Sequence, residues 1–338
     1  MRLAIIGLQH FHIVGIARAA AARPDFEIVG VAERDATLRE QIAAEFKIPA
    51  YADYRDLLAA GRIDAAGLAP INSEKGALIV ACLEAGVHVL VDKPAVTTLE
   101  DLARVEEALG RRRAHLYCAL TLRFAPNYVA AQRLVARGEI GRVVSSYAQR
   151  PHKLGIVRRP AWMFQRATYG GPTLDLGIHD IDMLRWIHGC EPAATWARES
   201  NARFTEHADF ADHFEVMLQM TDGSTGFVKG SWLTPDAAPW HGDTRLFVEG
   251  SLGYLEVRDH PEPALIANTT GEPRTVSDFE RSEEIEPAAH QRGMLQDFLA
   301  MTRGQTDTVL RQADVIESHR WALLARQSAD TGGLVRRR

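Results

Sequence analysis

The chain contains 338 residues, more than one hydrophobic core usually supports, so two domains are expected. Its hydrophobic content of 46% and its charged content of 25% are typical of a globular protein. The net charge of −5 gives no electrostatic reason to expect nucleic acid or an anionic membrane as a partner.

The first residues of the chain and its cysteines indicate in which cellular compartment the protein is expected. No charged and apolar leader precedes the first predicted strand, and no apolar run approaches the roughly 20 residues of a membrane helix. The three cysteines are odd in number and far apart, which argues against a disulfide framework and is typical of a reducing compartment. We therefore expect a soluble, cytoplasmic protein.

The first third of the chain alternates short apolar runs with amphipathic segments. The runs predict buried strands at Leu3–Ile6, Glu27–Ala32, Ala65–Ala69, Val87–Val91 and His115–Leu120. The segments between them predict helices at about residues 11–22, 38–46, 54–60, 77–85 and 99–109. This pattern predicts a doubly wound parallel sheet over residues 1–120, which would bind its ligands beyond the carboxyl ends of the strands.

From about Leu120 longer segments of β type prevail. After a helix at about residues 127–137 and a strand at 142–149, β segments are predicted at residues 195–204, 210–220, 224–232, 244–248 and 253–257. Two helices, at about residues 288–301 and 313–328, end the chain. Residues 121–338 are therefore predicted to form an α+β domain with a large, mostly antiparallel open sheet. Such a sheet is often a subunit interface, so we expect a homodimer or homotetramer through it.

The stretch from Gly170 to Gly189 carries a pattern of possible catalytic value. It predicts a helix that ends at Gly189, with Asp175, His179 and Asp182 on one face at i, i+4 and i+7. A carboxylate one turn before an imidazole can orient the ring and stabilise its charged form, which suits general acid–base chemistry. The alternative is a solvated polar face opposite an apolar core stripe.

The turn after the first strand is a degenerate dinucleotide-binding motif. Of the three glycines in G-x-G-x-x-G, Gly7 is kept, while Gln9 and His12 replace the other two. The following helix N-terminus still offers N–H groups to a phosphate; the alternative is a phosphate site that has decayed. His10 and His12 also form an H-x-H pair, but the β-rich second half does not supply the barrel of a metal-dependent hydrolase, so no metal is expected.

Two charged positions follow predicted strands. Glu33 ends the second strand, where an acidic residue typically binds the ribose hydroxyls and so favours NAD. Arg34 could pair with a 2′-phosphate, so NADP stays possible. Lys93, in D-K-P after V-H-V-L-V, reaches the ligand edge of the sheet, where it could bind a ribose hydroxyl and polarise a substrate oxygen.

Five segments of the sequence together resemble one protein family. The segments are A-G-V-H-V-L-V-D-K-P, L-R-F-A-P, G-E-I-G-R-V, G-G-P-T-L-D-L-G-I-H-D-I-D and E-G-S-L-G-Y-L-E-V. The chain is similar over nearly its whole length to the glucose–fructose oxidoreductase / inositol dehydrogenase / rhizopine catabolism (Gfo/Idh/MocA) family. The resemblance implies a Rossmann domain, a second α/β domain with an open sheet, and NAD(P)-dependent oxidoreduction of a polyol, sugar or related compound. It also implies that Lys93, Asp175 and His179 act together.

The resemblance sets the remaining site expectations. Cofactor-binding residues are expected at Gly7, Gln9, Phe11, His12, Glu33, Arg34, Asn72, Lys93, Pro94 and Trp162. For Trp162 the alternative is an aromatic packed between domains. Arg123, His152 and His241 are candidate substrate contacts, with surface or structural roles as the alternative. The chain departs from the family pattern in Asp92 for Glu, Pro172 for Gly and Lys75 for His.

The predicted activity is hydride transfer between a nicotinamide and a secondary alcohol or ketone, with His179 as acid–base, Asp175 as its orienting partner and Lys93 polarising the substrate. One alternative is transient oxidation by bound NAD that enables elimination or epimerisation. The other is a non-catalytic sensor or binding protein of the same fold, which the loss of two glycines would favour.

Overall fold

The computed structural model describes residues 1–111, 113–259, 264–268, 274–275 and 289–337. Of these, the residues within 1–120 and 287–319 form one compact unit, and those within 121–286 and 320–338 form a second. None of the described helices is long and apolar enough to cross a lipid bilayer.

The first unit is built on a parallel sheet. Its described strands are β1 (Arg2–Ile6), β2 (Glu27–Ala32), β3 (Ala50–Tyr51), β4 (Ala65–Leu68), β5 (His88–Val91) and β6 (Leu116–Cys118). They pair in the order β3-β2-β1-β4-β5-β6, and every ladder is parallel. This is the doubly wound order, which reverses direction beside β1 and leaves a crevice at the carboxyl ends of β1 and β4. The predicted parallel Rossmann-type sheet is confirmed, and β3 is an edge strand too short for the sequence pattern to reveal.

Five helices connect these strands. They are α1 (His12–Ala21), α2 (Ala36–Phe46), α3 (Tyr54–Ala60), α4 (Lys75–Glu84) and α5 (Leu99–Arg111). Capping explains where α2 begins and ends. The Asp35 carboxylate accepts a hydrogen bond from the Leu38 N–H, and Lys47 takes up a left-handed conformation after the last turn.

The second unit contains a large mixed sheet. Its described strands are β7 (Val143–Pro151), β8 (Pro192–Ser200), β9 (His213–Met220), β10 (Thr225–Ser231), β11 (Arg245–Gly250), β12 (Tyr254–Arg258), β13 (Ala264–Asn268), β14 (Arg274–Thr275) and β15 (Val335–Arg336). The order is β14-β13-β12-β11-β7-β10-β9-β8-β15, and of these ladders β7 with β10 is parallel and the others are antiparallel. The predicted open, mostly antiparallel sheet is confirmed.

Three helices lie between the start of the second unit and β8, and the first and third of them pack on the sheet. They are α6 (Pro126–Ala136), α7 (Arg166–Tyr169) and α8 (Ile178–His188), and Gly189, with φ +67°, ends α8 as predicted. A π-helical turn over Thr173–Gly177 leads into α8, so Asp175 lies outside the regular α-helical repeat that the sequence predicts. Leu184 packs so closely on β10 that a Cβ at Gly226 would lie 2.9 Å from its side chain.

Two further helices are α9 (Ala289–Thr302) and α10 (Gln312–Thr331); residue 288, where the first was predicted to begin, lies outside the described residues. All of residues 121–338 were predicted to form the second domain, whereas α9 and the start of α10 lie in the first compact unit. Hydrogen bonds explain the difference. Tyr117 donates to Asp297, and the Leu116 N–H donates to Gln312.

Candidate functional site

The turn after β1 is shaped by a close backbone approach. Gly7 has φ +77°, and a Cβ at this position would lie 2.4 Å from the backbone nitrogen of Pro70. Another residue would therefore be strained by its own conformation and would also clash with the neighbouring chain. The N–H of Gln9 donates to the Ala69 carbonyl at 2.9 Å, which ties the turn to the end of β4.

The buried carboxylate of Glu33 organises this turn. Its oxygens accept hydrogen bonds from the N–H of Leu8 at 2.6 Å, from the Gln9 amide at 3.2 Å and from the Asp35 N–H at 3.0 Å. Gln9, which stands where the motif has its second glycine, is thus tied to Glu33. Arg34 is exposed and donates to Glu74 at 2.8 Å.

A groove of about 690 Å³ opens along the carboxyl ends of β1, β2 and β4. Four of the predicted cofactor residues line it together: Gly7, Gln9, Glu33 and Arg34. Other lining residues come from the segments after β3 and β4, including Asp53, Tyr54, Arg55, Pro70, Ile71 and Glu74. A groove at this edge that combines apolar surface with charged side chains suits one half of a dinucleotide.

Two histidines of the turn meet the aspartate of D-K-P. Nδ1 of His10 lies 2.8 Å from Oδ2 of Asp92, and Nδ1 of His12 lies 3.1 Å from Oδ1. Burial lowers the pKa of His10 despite the attraction of Asp92. Burial alone would raise the pKa of Asp92, but the charges of the two histidines outweigh it and hold that pKa well below its usual range.

Lys93 lies in a segment that is held from two sides. The buried ammonium of Lys75 donates to the carbonyl oxygens of Asp92 at 2.9 Å and of Lys93 at 3.1 Å. On the other side the Ala95 N–H donates to Nε2 of His319 at 2.7 Å. These contacts fix the backbone on both sides of the Lys93 side chain, which is 5% exposed.

The other cofactor candidates of the first unit differ in exposure. Phe11 is 75% exposed, Pro94 is buried, and Asn72 is buried at the start of a 3₁₀ turn, Asn72–Glu74. His12 begins α1, where backbone N–H groups are open to a ligand. Each of these positions is close in sequence or space to the carboxyl edge of the sheet.

In the second unit, Asp175 is buried and half-buried His179 follows one turn later. The Tyr169 hydroxyl donates to Oδ2 of Asp175 at 2.8 Å, and Nε1 of Trp232 donates to that hydroxyl at 3.0 Å. Burial raises the pKa of Tyr169 well above its usual range, and the Asp175 charge adds to the shift. The phenol therefore stays protonated and remains a donor to the carboxylate.

A cluster of rings adjoins Trp232. The His152 ring lies 5.9 Å from the Trp232 ring and 4.5 Å from the His241 ring, and the Arg159 guanidinium stacks over Trp232 at 4.5 Å. Burial lowers the pKa of His241, and the Arg159 charge lowers it further. The structure thus brings the candidate substrate residues His152 and His241 close to the partners of Asp175.

Arg123 and Trp162 are the other predicted site residues in the second unit. The guanidinium of Arg123 makes a two-point contact with Asp182, both distances being 2.8 Å, and both side chains are buried. Trp162 lies in a 3₁₀ turn, Ala161–Phe164, and its ring is 6.5 Å from that of Tyr169. Lys93 belongs to the first unit, whereas Asp175 and His179 belong to the second.

Sequence reasoning did not single out Tyr169, Trp232 or His319. Tyr169 and Trp232 are 63 residues apart, and Ala95 and His319 are 224 residues apart. Each pairing depends on the folded chain, and no local motif marks it.

Comparisons with known proteins agree with this architecture. Residues 1–119 match the model described as "Oxidoreductase family, NAD-binding Rossmann fold", and residues 128–256 match the "GFO/IDH/MocA C-terminal domain". The protein is therefore an oxidoreductase with an NAD-binding Rossmann domain. It belongs to the Gfo/Idh/MocA family.

Individual relatives are more distant. The chain is 28% identical over 263 residues to the rhizopine catabolism protein MocA of Rhizobium meliloti, covering 76% of this chain and 78% of the relative. It is 29% identical over 224 residues to myo-inositol 2-dehydrogenase of Thermotoga maritima, covering 64% of this chain and 62% of the relative, just under two thirds of its length. A solved structure from Erwinia carotovora atroseptica, described as an oxidoreductase, superposes with a TM-score of 0.87 at 29% identity, covering 97% of this chain and 98% of the other.

Proposed function

We propose that this oxidoreductase moves a hydride between NAD and a secondary alcohol or ketone of a polyol or sugar-derived substrate. The observation that carries the proposal is Asp175, buried one helical turn before His179 and held by the hydroxyl of Tyr169. A buried carboxylate fixed on one side can orient an imidazole and stabilise its protonated form. The names of two relatives, a myo-inositol 2-dehydrogenase and a rhizopine catabolism protein, support a polyol-like substrate.

In the oxidative direction, a ring nitrogen of His179 would take the proton of the substrate hydroxyl. Asp175 stabilises the imidazolium that results. Lys93 holds the substrate oxygen and offsets the negative charge that develops there. NAD, when bound, supplies the hydride acceptor, and the protein supplies the proton acceptor and the orientation.

We also propose that the site prefers NAD to NADP. Glu33 lines the groove with a carboxylate that would repel a 2′-phosphate, and the Arg34 guanidinium is already paired with Glu74. Titration with NADH and NADPH, followed by nicotinamide fluorescence, tests the preference. Tighter binding of NADPH would contradict it.

The experiment for the activity compares His179→Ala with His213→Ala, a control at a histidine of β9 with no assigned role. We expect His179→Ala to lower kcat on a panel of polyols and sugars by about 10²- to 10⁴-fold, with NADH affinity within a few-fold of wild type. The control should keep kcat. Unchanged turnover in His179→Ala would overturn the assignment, and product formed without net nicotinamide reduction would favour transient oxidation.

We further propose that two copies of the chain pair through the open sheet. A row of apolar side chains crosses four paired strands on one face, with Trp196 opposite Met217, Met217 opposite Phe227, and Phe227 opposite Tyr147. Phe247 extends the row, and four of the five side chains are among the exposed large hydrophobic residues of the described chain. A row that includes aromatic side chains can pack on its own copy across a two-fold axis.

The oligomer proposal is tested by light scattering of Phe227→Arg, which places a charge in the middle of the row. We expect the variant to lose the dimer. Val157→Arg is the matched control, because Val157 is an exposed apolar residue outside this row. A wild-type monomer, or a Phe227→Arg variant that stays dimeric, would contradict the proposal.

A further inference from the structure

Three groups able to ligate a metal converge at the carboxyl edge of the first sheet. His10 and His12 follow β1, and Asp92 directly follows β5. Their candidate ligand atoms all lie within 4.8 Å of one another. The sequence reveals the H-x-H pair, but Asp92 is about 80 residues away and the sheet brings it to the pair.

The contact between His10 and Asp92 lacks hydrogen-bond geometry. Nδ1 of His10 and Oδ2 of Asp92 are 2.8 Å apart, yet among the residues that the structure describes neither atom has a hydrogen-bond partner. Both atoms are shielded from solvent. A buried carboxylate oxygen and a buried ring nitrogen without such a partner are costly, unless a further group binds both.

A single cation would satisfy both atoms. Ligands of a tetrahedral ion with bonds of about 2.1 Å lie about 3.4 Å apart. The distances of 2.8 Å from His10 to Asp92 and of 3.1 Å from His12 to Asp92 are shorter than this, so the side chains must rotate slightly to admit the ion. His12 can rotate readily because its side chain is 56% exposed, whereas the Asp92 side chain is 1% exposed. The cluster thus combines a rigid carboxylate with an adaptable imidazole.

We propose that His10, His12 and Asp92 bind a divalent transition-metal ion. Two imidazoles and one carboxylate favour Zn²⁺, Co²⁺, Ni²⁺ or Fe²⁺, whereas Mg²⁺ and Ca²⁺ prefer oxygen ligands alone. Three protein ligands leave one coordination position of the ion for water or another oxygen ligand. Such a ligand can reach the ion from solvent on the side of His12, whose side chain is exposed.

The surrounding charge favours an anion in the open position. Lys93 acts electrostatically on His10, and the positive end of the α1 dipole begins at His12. Asp92 neutralises one of the two charges of the ion, so a net positive charge remains. The site therefore suits a metal with an anionic oxygen ligand, such as a phosphate oxygen or hydroxide.

The test is calorimetric titration of the chelator-treated, full-length protein with Zn²⁺ at neutral pH, in the absence of nucleotide. We expect one ion per chain. We expect the affinity to fall at least about tenfold in His12→Ala and in Asp92→Asn, because each removes one of three ligands. Loading with Co²⁺ should give a visible absorption band that His12→Ala loses. Since nucleotide is absent, the outcome does not depend on NADH binding.

His115→Ala is the matched control. His115 stacks on His88 at 5.3 Å in the same unit, so this variant removes one member of another histidine pair. Its Zn²⁺ affinity should equal that of wild type. If Asp92→Asn unfolds, His12→Ala still decides the question, because its exposed side chain can be removed without disturbing the core. Absence of stoichiometric Zn²⁺ binding, or equal binding in His12→Ala and wild type, would overturn the proposal.

Discussion

The hydroxyl of Tyr169 donates a 2.8 Å hydrogen bond to Oδ2 of Asp175. Trp232 donates to the same hydroxyl, so the phenol has its remaining position satisfied and its orientation fixed. All three side chains are buried. This chain of donors stabilises the ionised form of Asp175 and positions the carboxylate one turn before His179.

Tyr169→Phe removes this donor while keeping the ring. We expect kcat to fall about tenfold with a smaller change in KM, and the unfolding free energy to fall by about 2 kcal/mol, since a hydrogen bond to a charged group is lost. Tyr254→Phe, at an exposed tyrosine of β12 in the same unit, should change neither kcat nor the unfolding free energy. An unchanged kcat in Tyr169→Phe, together with the loss of stability, would mean that the phenol has a structural role alone.

Lys75 offers a test of how the Lys93 segment is held. Lys75→Met leaves two buried carbonyl oxygens, those of Asp92 and Lys93, without their ammonium donor. Each lost hydrogen bond from the ammonium group costs about 1–3 kcal/mol, and the relief of burying one charge fewer offsets part of this. We expect a net loss of about 2 kcal/mol in the unfolding free energy and several-fold weaker NADH binding.

The measurements for Lys75→Met are denaturant unfolding and nicotinamide fluorescence. Lys229→Met, at an exposed lysine of β10, is the control and should match wild type in both. Equal NADH affinity in Lys75→Met and wild type would show that the lysine does not position the segment.

The sheets were predictable because their strands carry simple patterns. Leu3 to Ile6 are almost fully buried in the centre of the first sheet, so the run is continuously apolar. In β9 and β10 burial alternates along the strand, as expected where one face packs on helices. The positions of Gly7, Glu33 and Lys93 at strand ends were predictable for the same reason.

The chemistry around these positions was not predictable from local patterns. Lys75 contacts carbonyl groups 17 and 18 residues away, and Asp92 meets a histidine 80 residues away. The π-helical turn that carries Asp175 has no pattern in the sequence that distinguishes it from α-helix. Such contacts depend on the register and packing of elements that periodicity locates only approximately.

The buried pair of Arg123 and Asp182 allows a test between a structural and a substrate-binding role for Arg123. Asp182→Asn should lower the unfolding free energy by about 3–5 kcal/mol, since it leaves a buried guanidinium without its counter-charge. The double variant Arg123→Met/Asp182→Leu should recover most of this loss. Unfolding in urea measures both.

The control for this pair is Asp330→Asn, which removes the half-exposed partner of Arg166. We expect its effect to stay within about 1 kcal/mol, because exposed pairs contribute little. If the double variant is stable but its KM rises strongly, Arg123 also contacts the substrate. A small effect of Asp182→Asn on stability would contradict the structural role.

His188 should make the stability of the protein depend on pH. Its Nδ1 lies 2.7 Å from the Ser224 hydroxyl, which itself donates to Asp222, so Nδ1 carries the proton; Nε2 accepts from Ser146 at 2.7 Å. Burial lowers the pKa of His188 from 6.5 to about 4, although the Asp222 charge opposes this. Between pH 6.5 and about pH 4, His188 is protonated in the unfolded chain but still neutral in the folded chain. Stability should therefore fall as the pH drops through this window, by up to about 3 kcal/mol.

The measurement is the unfolding free energy in urea across that window for wild type and His188→Gln, which cannot titrate. Other histidines, such as His10 and His241, have lowered pKa values and contribute to both proteins alike, so the difference between the two curves isolates His188. The wild-type curve should fall more steeply toward acid than that of the variant. Parallel curves would show that His188 takes up its proton at the same pH in the folded and the unfolded protein, in which case both serine hydroxyls accept hydrogen bonds from the charged ring.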